Sequence, residues 1–225
     1  MPRQARKAPG GLTYHVLNRG VGRMNLFRHQ KDYIAFLRCF RDVLDESPMA
    51  VLAYCIMPNH WHLVLAPRRD GQLSQFMQRL TITHARRWIE HRRRVGSGHV
   101  YQGRFKSFAC QSDGHFLALC RYVERNPLRT KLVARAEDWP FSSLRAGLGL
   151  DKQPMIPLTK WPVPRPADWR RRVNRAQPAA EEAALRKSIA TANPLGDDKW
   201  TAKQRKRLGI ADPKPIGRPR KAKNL

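Results

Sequence analysis

The chain has 225 residues, 41% of them hydrophobic, and carries a formal charge of +27 from 44 Lys and Arg against 17 Asp and Glu. One folded domain with an extension fits that length, and so large a cationic excess calls for an anionic partner, either nucleic acid or an acidic membrane surface. No run of 18 or more apolar residues occurs and MPRQARKAPGG has no apolar centre, so neither a membrane span nor a secretory signal is expected.

Arginine recurs among aromatic and polar residues along the whole chain, a pattern that suits phosphate contacts in a groove better than a membrane-facing stripe. Cys39, Cys55, Cys110 and Cys120 form no CxxC pair and lie largely in apolar surroundings. They read as reduced core cysteines of a cytoplasmic, nucleoid-associated protein rather than a zinc site.

Residues 1–10 read as a flexible basic arm. Alternation predicts a strand over 12–19 (LTYHVLNR), with Leu12, Tyr14, Val16 and Asn18 on one side. Tyr33, Phe36, Leu37, Phe40 and Leu44 recur at helical spacing over 30–45. AVLAYCIM (50–57) is a nearly continuous apolar run and a buried strand. Pro58-Asn59 turns the chain into an antiparallel strand over 60–66, HWHLVLA. A long helix covers about 73–93, a short strand 106–111, and a third helix about 113–126. That last helix is expected to stop at Asn126-Pro127, because a residue before proline disfavours the helical region. A short helix follows over 142–148, and Trp139, Phe141 and Leu144 read as a hydrophobic latch on the core.

The order strand, helix, strand, strand, helix, strand, helix predicts an α+β, ferredoxin-like sheet of four antiparallel strands. Helices would pack on one face and leave the other free. This domain spans 11–149. From 150 prolines crowd in, and the last 27 residues hold ten Lys and Arg against one Asp. Residues 150–225 therefore read as a basic, partly helical and mobile extension, with helices near 179–190 and 199–208.

Two small constellations carry chemistry. In His60-Trp61-His62 the strand alternation puts both imidazoles on one face, where they can share a divalent ion; a pair of solvated histidines has the same pattern. Tyr122 and Asn126 are four residues apart on one side of a helix, outside the apolar arc centred on Phe116, Cys120 and Val123. A tyrosine there is either an amphipathic surface residue or a nucleophile for a DNA phosphate, with a metal ion stabilising the charge that grows on the phosphate oxygens.

MPNHWHLVL, QGRFKS, RYVERNP and EDWPFSS, in this order and spacing, resemble the REP-associated tyrosine transposases, relatives of the single-strand, IS200-like transposases. The resemblance covers about residues 12–145 and extends to YHVLNRG and the terminal GRPRK. It implies the HUH nuclease fold, His60 and His62 as metal ligands with Asn126 as third ligand, and Tyr122 as nucleophile. The implied cofactor is Mg²⁺ or Mn²⁺. The implied substrate is single-stranded DNA hairpins of the REP type, cut to a 5′-phosphotyrosine and a free 3′-hydroxyl by a protein acting as a monomer.

Several basic and polar residues are candidate DNA contacts, each with a plain surface role as the alternative. Tyr101, Gln102, Arg104, Lys106 and Ser107 form a patch before the fourth strand. Arg19 and Arg23 lie beside glycines after the first strand, and Arg121 and Arg125 flank the tyrosine. Gly217-Arg218-Pro219-Arg220 resembles the centre of an AT-hook. Two other functions fit the charge: a non-catalytic hairpin-binding regulator on the same fold, and an RNA-binding factor. Retention of both histidines, the tyrosine and the asparagine favours the enzyme over the first, and no recognisable 2′-hydroxyl reader supports the second.

Overall fold

The computed structural model describes residues 7–96 and 98–211. Four strands, β1 (Thr13–Arg19), β2 (Ala50–Met57), β3 (His60–Ala66) and β4 (Lys106–Cys110), pair in the order β2-β3-β1-β4, every pair antiparallel. This is the expected four-stranded α+β sheet. The two-residue turn at Pro58-Asn59 sets Met57 opposite His60 and Cys55 opposite His62. A bulge between Val51 and Ala53 then shifts the register, so that Val51 stays with Leu65 while Ala53 meets Val64.

One sheet face carries Tyr14, Val16, Tyr54, Ile56, Trp61, Leu63 and Leu65 into a core closed by α1 (Gln30–Glu46) and α2 (Gln72–His91). All five helical-spaced residues predicted for α1 are buried. Asp32 accepts from the backbone N–H groups of Arg28 and His29, which fixes the start of that helix. Inside this core Trp61 Nε1 donates to the Tyr101 hydroxyl (3.1 Å), which lies 2.6 Å from His84 Nδ1. The indole can only donate, so the phenol oxygen accepts from it and keeps its own proton available for the imidazole. Tyr101, expected as a DNA contact, is instead packed in the core with its hydroxyl engaged by Trp61 and His84.

The other sheet face is not free. Leu52, Ala53, Cys55, Met57, Val64, Phe108 and Cys110 face a second core. It is built from α3 (Gly114–Glu124), α5 (Ser143–Gly147), α6 (Trp169–Asn174) and α7 (Ala179–Thr191), with Trp161 and Leu195 from the connections between them. Helices thus cover both faces rather than one. The signal lay in AVLAYCIM itself, since a strand with one wet face alternates and this one does not.

The C-terminal stretch is correspondingly no mobile tail as far as residue 211. Trp161 Nε1 donates to Leu52 O (2.8 Å) and Trp169 Nε1 to the buried Glu124 Oε2 (2.7 Å). Leu195 exchanges backbone hydrogen bonds with Ala109 and Gln111, covering the edge of β4. The opposite edge, β2, is covered by the latch. Trp139 Nε1 donates to Ile56 O, Ile56 N to Phe141 O, and the Phe141 ring stacks on Tyr33 at 4.1 Å. The final helix, α8 (Asp198–Leu208), places Trp200 and Leu208 against the first core and Arg207 Nη2 on Gly10 O. Residues 7–10 are likewise tied down: Ala8 is buried, Tyr14 donates its hydroxyl proton to Pro9 O, and Gly10 N donates to Asp70. The rest of the supposed arm, 1–6, lies outside the described residues.

Two outcomes follow from this packing. Each large side chain fully removed from water contributes about 1.5–3 kcal/mol, so losing Trp161, Trp169, Val173, Leu185 and Leu195 costs an amount comparable with the whole stability of a domain, about 5–15 kcal/mol. A chain truncated after Leu150 is expected to lose its cooperative unfolding transition, read by circular dichroism during a thermal melt; a mobile tail would be dispensable. The second concerns pH. Burial, assisted by Arg87, pulls His84 down to about 3. The folded state therefore disfavours the imidazolium, and stability is lost as pH falls from about 6.5, the ordinary value, towards 3. His84→Gln removes one such group, so the fall in unfolding free energy below pH 6.5 should flatten by about 1.4 kcal/mol per pH unit.

Candidate active site

The site grows from the alternation of β3. Trp61, Leu63 and Leu65 fill the first core, which sends His60 and His62 to the opposite face. Antiparallel pairing sets Arg19 directly across from His60 and Leu17 across from His62 on that same face. The two imidazole centroids are 4.9 Å apart, at 80° to each other.

Each ring is held by its Nδ1. Asn59 Nδ2 donates to Arg23 O (3.2 Å), which turns its carbonyl oxygen towards His60 Nδ1 at 2.6 Å. That nitrogen must then carry the proton, leaving the His60 Nε2 lone pair unclaimed. His62 Nδ1 is 2.8 Å from His15 Nε2 on β1. His15 is buried against Phe108 and was absent from the sequence-based candidates. Its signal was the alternation of β1, which sets His15 opposite to Tyr14 and Val16, on the side later found to hold the histidine pair.

Electrostatics keep these rings neutral. Burial, Arg19 and Arg129 pull His60 down to about 4. His62 lies well below its ordinary value, first through burial and then through His60, His15, Arg129 and Arg19. Burial followed by His60 pulls His15 down to about 3. A neutral imidazole with an open Nε2 is the form that binds a metal ion.

Tyr122 arrives from α3, its ring centroid 6.0 Å from that of His62 at 86°, with the Arg129 guanidinium 5.3 Å over its other side. It is only 6% exposed, so it does not stand outside the apolar arc as its helical position implied. The reason is that α3 is enclosed on two sides, by the sheet and by α6 and α7. The chain also stays helical beyond Glu124. Arg125 joins α3 to the short α4 (Asn126–Arg129), where Pro127 occupies the first turn and its missing N–H is not needed.

Asn126 is fully buried beneath this junction. Its Oδ1 accepts from Arg129 Nη2 (2.7 Å), whereas its Nδ2 has no hydrogen-bond partner. One lone pair of the oxygen expected as third ligand is thus taken by Arg129, leaving the second. His60 fits a divalent ion by its neutral, open Nε2, and His62 fits it in the tautomer that donates from Nδ1 to His15 Nε2; Asn126 is buried with one amide group unpaired. No group of three or more His, Cys, Asp or Glu suited to a metal ion occurs among the described residues.

The expected DNA contacts divide into groups. Arg19, Gln102, Arg104 and Lys106 come together with Leu17 and Asn18 in one groove at the end of β1, next to His60. Ser107 sits opposite Val16, towards the first core, and takes no part in that groove. Arg23 has an exposed side chain, and its carbonyl anchors Asn59. Arg121 and Arg125 are turned to another task. Arg121 Nη2 donates to the carbonyls of Arg175 and Ala176, and Arg125 Nε to that of Arg175 (2.6 Å), tying α3 to the C-terminal segment. Arg218 and Arg220 lie outside the described residues.

Comparison with known proteins places this geometry. Residues 10–126 match the family model described as "Transposase IS200 like". A putative REP-associated tyrosine transposase of Haemophilus influenzae is 26% identical over 122 residues, covering 50% of this chain and 69% of the relative. A REP-associated tyrosine transposase of Escherichia coli is 24% identical over 137 residues, covering 60% of this chain and 76% of the relative. The solved structure of a REP-associated tyrosine transposase bound to a REP hairpin superposes with a TM-score of 0.54 at 19% identity, covering 72% of this chain and 94% of that one. The matched residues span every strand of the sheet and the helix that carries Tyr122, and the chain belongs to the IS200-like transposase family.

Proposed function

We propose that this protein is a metal-dependent, single-strand-specific DNA endonuclease and strand transferase that acts on REP-type hairpins through Tyr122. The observation that carries the reading is the convergence of two neutral imidazoles and a phenol on one end of the sheet, between two guanidiniums, Arg19 and Arg129. The relative solved with a REP hairpin supplies the substrate class.

In the reaction the Tyr122 oxygen bonds to the scissile phosphorus as the bond from phosphorus to the 3′-oxygen breaks. The products are a 5′-phosphotyrosine and a free 3′-hydroxyl, and the phenolic proton lost on one side is balanced by the proton gained on the other. Because the ester keeps the energy of the broken phosphodiester, rejoining to a new 3′-hydroxyl needs no ATP. His60 and His62 would hold Mg²⁺ or Mn²⁺ through their open Nε2 atoms. Bound there, the ion would act as a Lewis acid on the phosphate oxygens. Asn59 fixes the His60 ring in the required tautomer, and His15 Nε2 would do the same for His62 by accepting from its Nδ1, as partners of metal-ligating histidines do. Arg19 and Arg129 attract the phosphate, and the groove of Gln102, Arg104 and Lys106 receives the strand. The protein works as a monomer on chromosomal hairpins in the cytoplasm.

A second reading, a hairpin-binding regulator without cleavage, draws on the burial of Tyr122 and the bond between Asn126 and Arg129. One experiment separates the two. Purified protein is incubated with end-labelled REP-type hairpins with and without Mn²⁺, and covalent complexes are resolved on denaturing gels. The enzyme reading expects a covalent species that needs Mn²⁺ and disappears in Tyr122→Phe with hairpin affinity retained. His60→Ala should lower cleavage at least 100-fold and abolish the response to Mn²⁺. Cleavage at the normal rate by Tyr122→Phe would rule out the nucleophile, and tight binding without any covalent species would establish the regulator.

A further inference from the structure

A second strongly basic concavity lies beside the site. It is an open cleft of ≈ 630 Å³ between α4, the 3₁₀ turn at Ala136–Asp138 and α6. Six cations line it: Arg125, Arg129, Lys131, Arg135, Arg170 and Arg171. The one carboxylate in its lining, Glu137, is already saturated by Arg170 Nε and Asn174 Nδ2, each at 2.7 Å. Asp138 and Asp168 pair with Arg135 and Arg171 at the margins. Even with these two counted, cations outnumber carboxylates two to one.

Packing cations together without an anion is costly, and the cleft carries the marks of that cost. Burial, together with the like charges of Arg121 and Arg129, pulls Arg125 below its ordinary value, opposed by Glu182. The Nε atoms of Arg121 and Arg129 are buried without a hydrogen-bond partner. Arg129 joins the cleft to the site: the residue whose guanidinium lies over the Tyr122 ring also lines this cleft. The groove of Arg19, Arg104 and Lys106 and this cleft share no lining residue.

We infer that the α4–α6 cleft is a second backbone-phosphate site, which holds the single-stranded DNA running away from the phosphate that Tyr122 attacks. The cleft lining contains no aromatic side chain, so it offers charge without a stacking platform. It therefore tracks the backbone and does not read bases. Arg170, Arg171 and Asn174 of the lining come from α6, and every lining residue except Arg125 lies beyond the residues matched by the family model. The inference rests on the proposed reading of the Tyr122 site, and its test uses binding so that the two can fail separately.

The probes are a bare REP-type hairpin, the same hairpin with a ten-nucleotide single-stranded flank on its 5′ side, and the same with the flank on its 3′ side. Fluorescence anisotropy gives the affinity of the full chain for each over a range of salt concentrations. The test variant is Lys131→Ala/Arg135→Ala/Arg171→Ala, which spares Arg129 and the Arg170 partner of buried Glu137. A control, Lys31→Ala/Arg38→Ala/Arg41→Ala on α1, removes the same charge elsewhere. The wild-type protein should bind one flanked hairpin at least tenfold more tightly than the bare one. The test variant should lose that gain and flatten the salt slope for the flanked hairpin by about 2, the value for three single-strand phosphates. The control should keep both. No gain from either flank, or an equal loss in test and control variants, would overturn the cleft. A flank gain that disappears in the test variant would uphold the cleft even if Tyr122→Phe still cut DNA.

Discussion

A helix that presents a reactive side chain to a sheet must be held on its far side as well, and α3 is held there by a buried carboxylate. Glu124 has no exposure; Ser143 Oγ donates to one of its oxygens (2.6 Å) and Trp169 Nε1 to the other (2.7 Å). Burial pushes this carboxyl above the ordinary range, opposed by those two donors and by Arg165. Taking a donor away leaves the acid buried with less compensation, at a cost of about 1–3 kcal/mol. Three separate stretches of chain, α3, α5 and α6, thus meet on one group. Tyr122 is two residues from it, so the position of the phenol depends on a segment outside the core motif of the family. Arg121 and Arg125 reinforce the same junction through the carbonyls of Arg175 and Ala176.

The histidine pair is fixed by a parallel device on the sheet. A strand side chain at a sheet end ordinarily samples several rotamers, and an imidazole can present either nitrogen. Here Asn59 and His15 each take one Nδ1, and Asn59 is itself anchored by the Arg23 carbonyl. That carbonyl sits in a tight turn after β1 that needs glycine: a Cβ on Gly20 would lie 2.5 Å from Met24 O. The sequence GVGR thus contributes to the site through backbone shape more than through its arginine side chain.

The sheet was legible from the chain because alternation and helical spacing are local properties. LTYHVLNR, AVLAYCIM and HWHLVLA each became a strand within a residue or two, and the helices predicted near 179–190 and 199–208 became α7 and α8. What escaped was long-range. Tryptophans in a proline-rich, basic stretch look like tail composition until Leu52 O and Glu124 are known to be their partners. Tyr101 looks like part of a polar loop, and only the three-way contact with Trp61 and His84 removes it from the surface. In the site, His60, His62 and Tyr122 were readable from motif and spacing. The His15 contact needed the register of β1 on β3, and the engagement of Asn126 needed the fold of α4. The backbone partners of Arg121 and Arg125 escaped for the same reason: a basic residue near a nucleophile has no visible partner in sequence when that partner is a carbonyl fifty residues away.

The site also contains an electrostatic tension that links its two prospective ligands. Arg19 and Arg129 help to hold His60 and His62 neutral, which prepares their lone pairs, yet the same two charges repel any cation the lone pairs would bind. A phosphate between the guanidiniums removes that repulsion, and a cation on the histidines in turn attracts the phosphate. Each ligand therefore strengthens the other by the same free energy, as linkage requires. Arg129 sits at the point where the two effects meet, because it also holds the Asn126 oxygen. On the proposed reading, an excess charge of +27 does more than concentrate DNA near the protein: it keeps the metal site weak until a phosphate arrives.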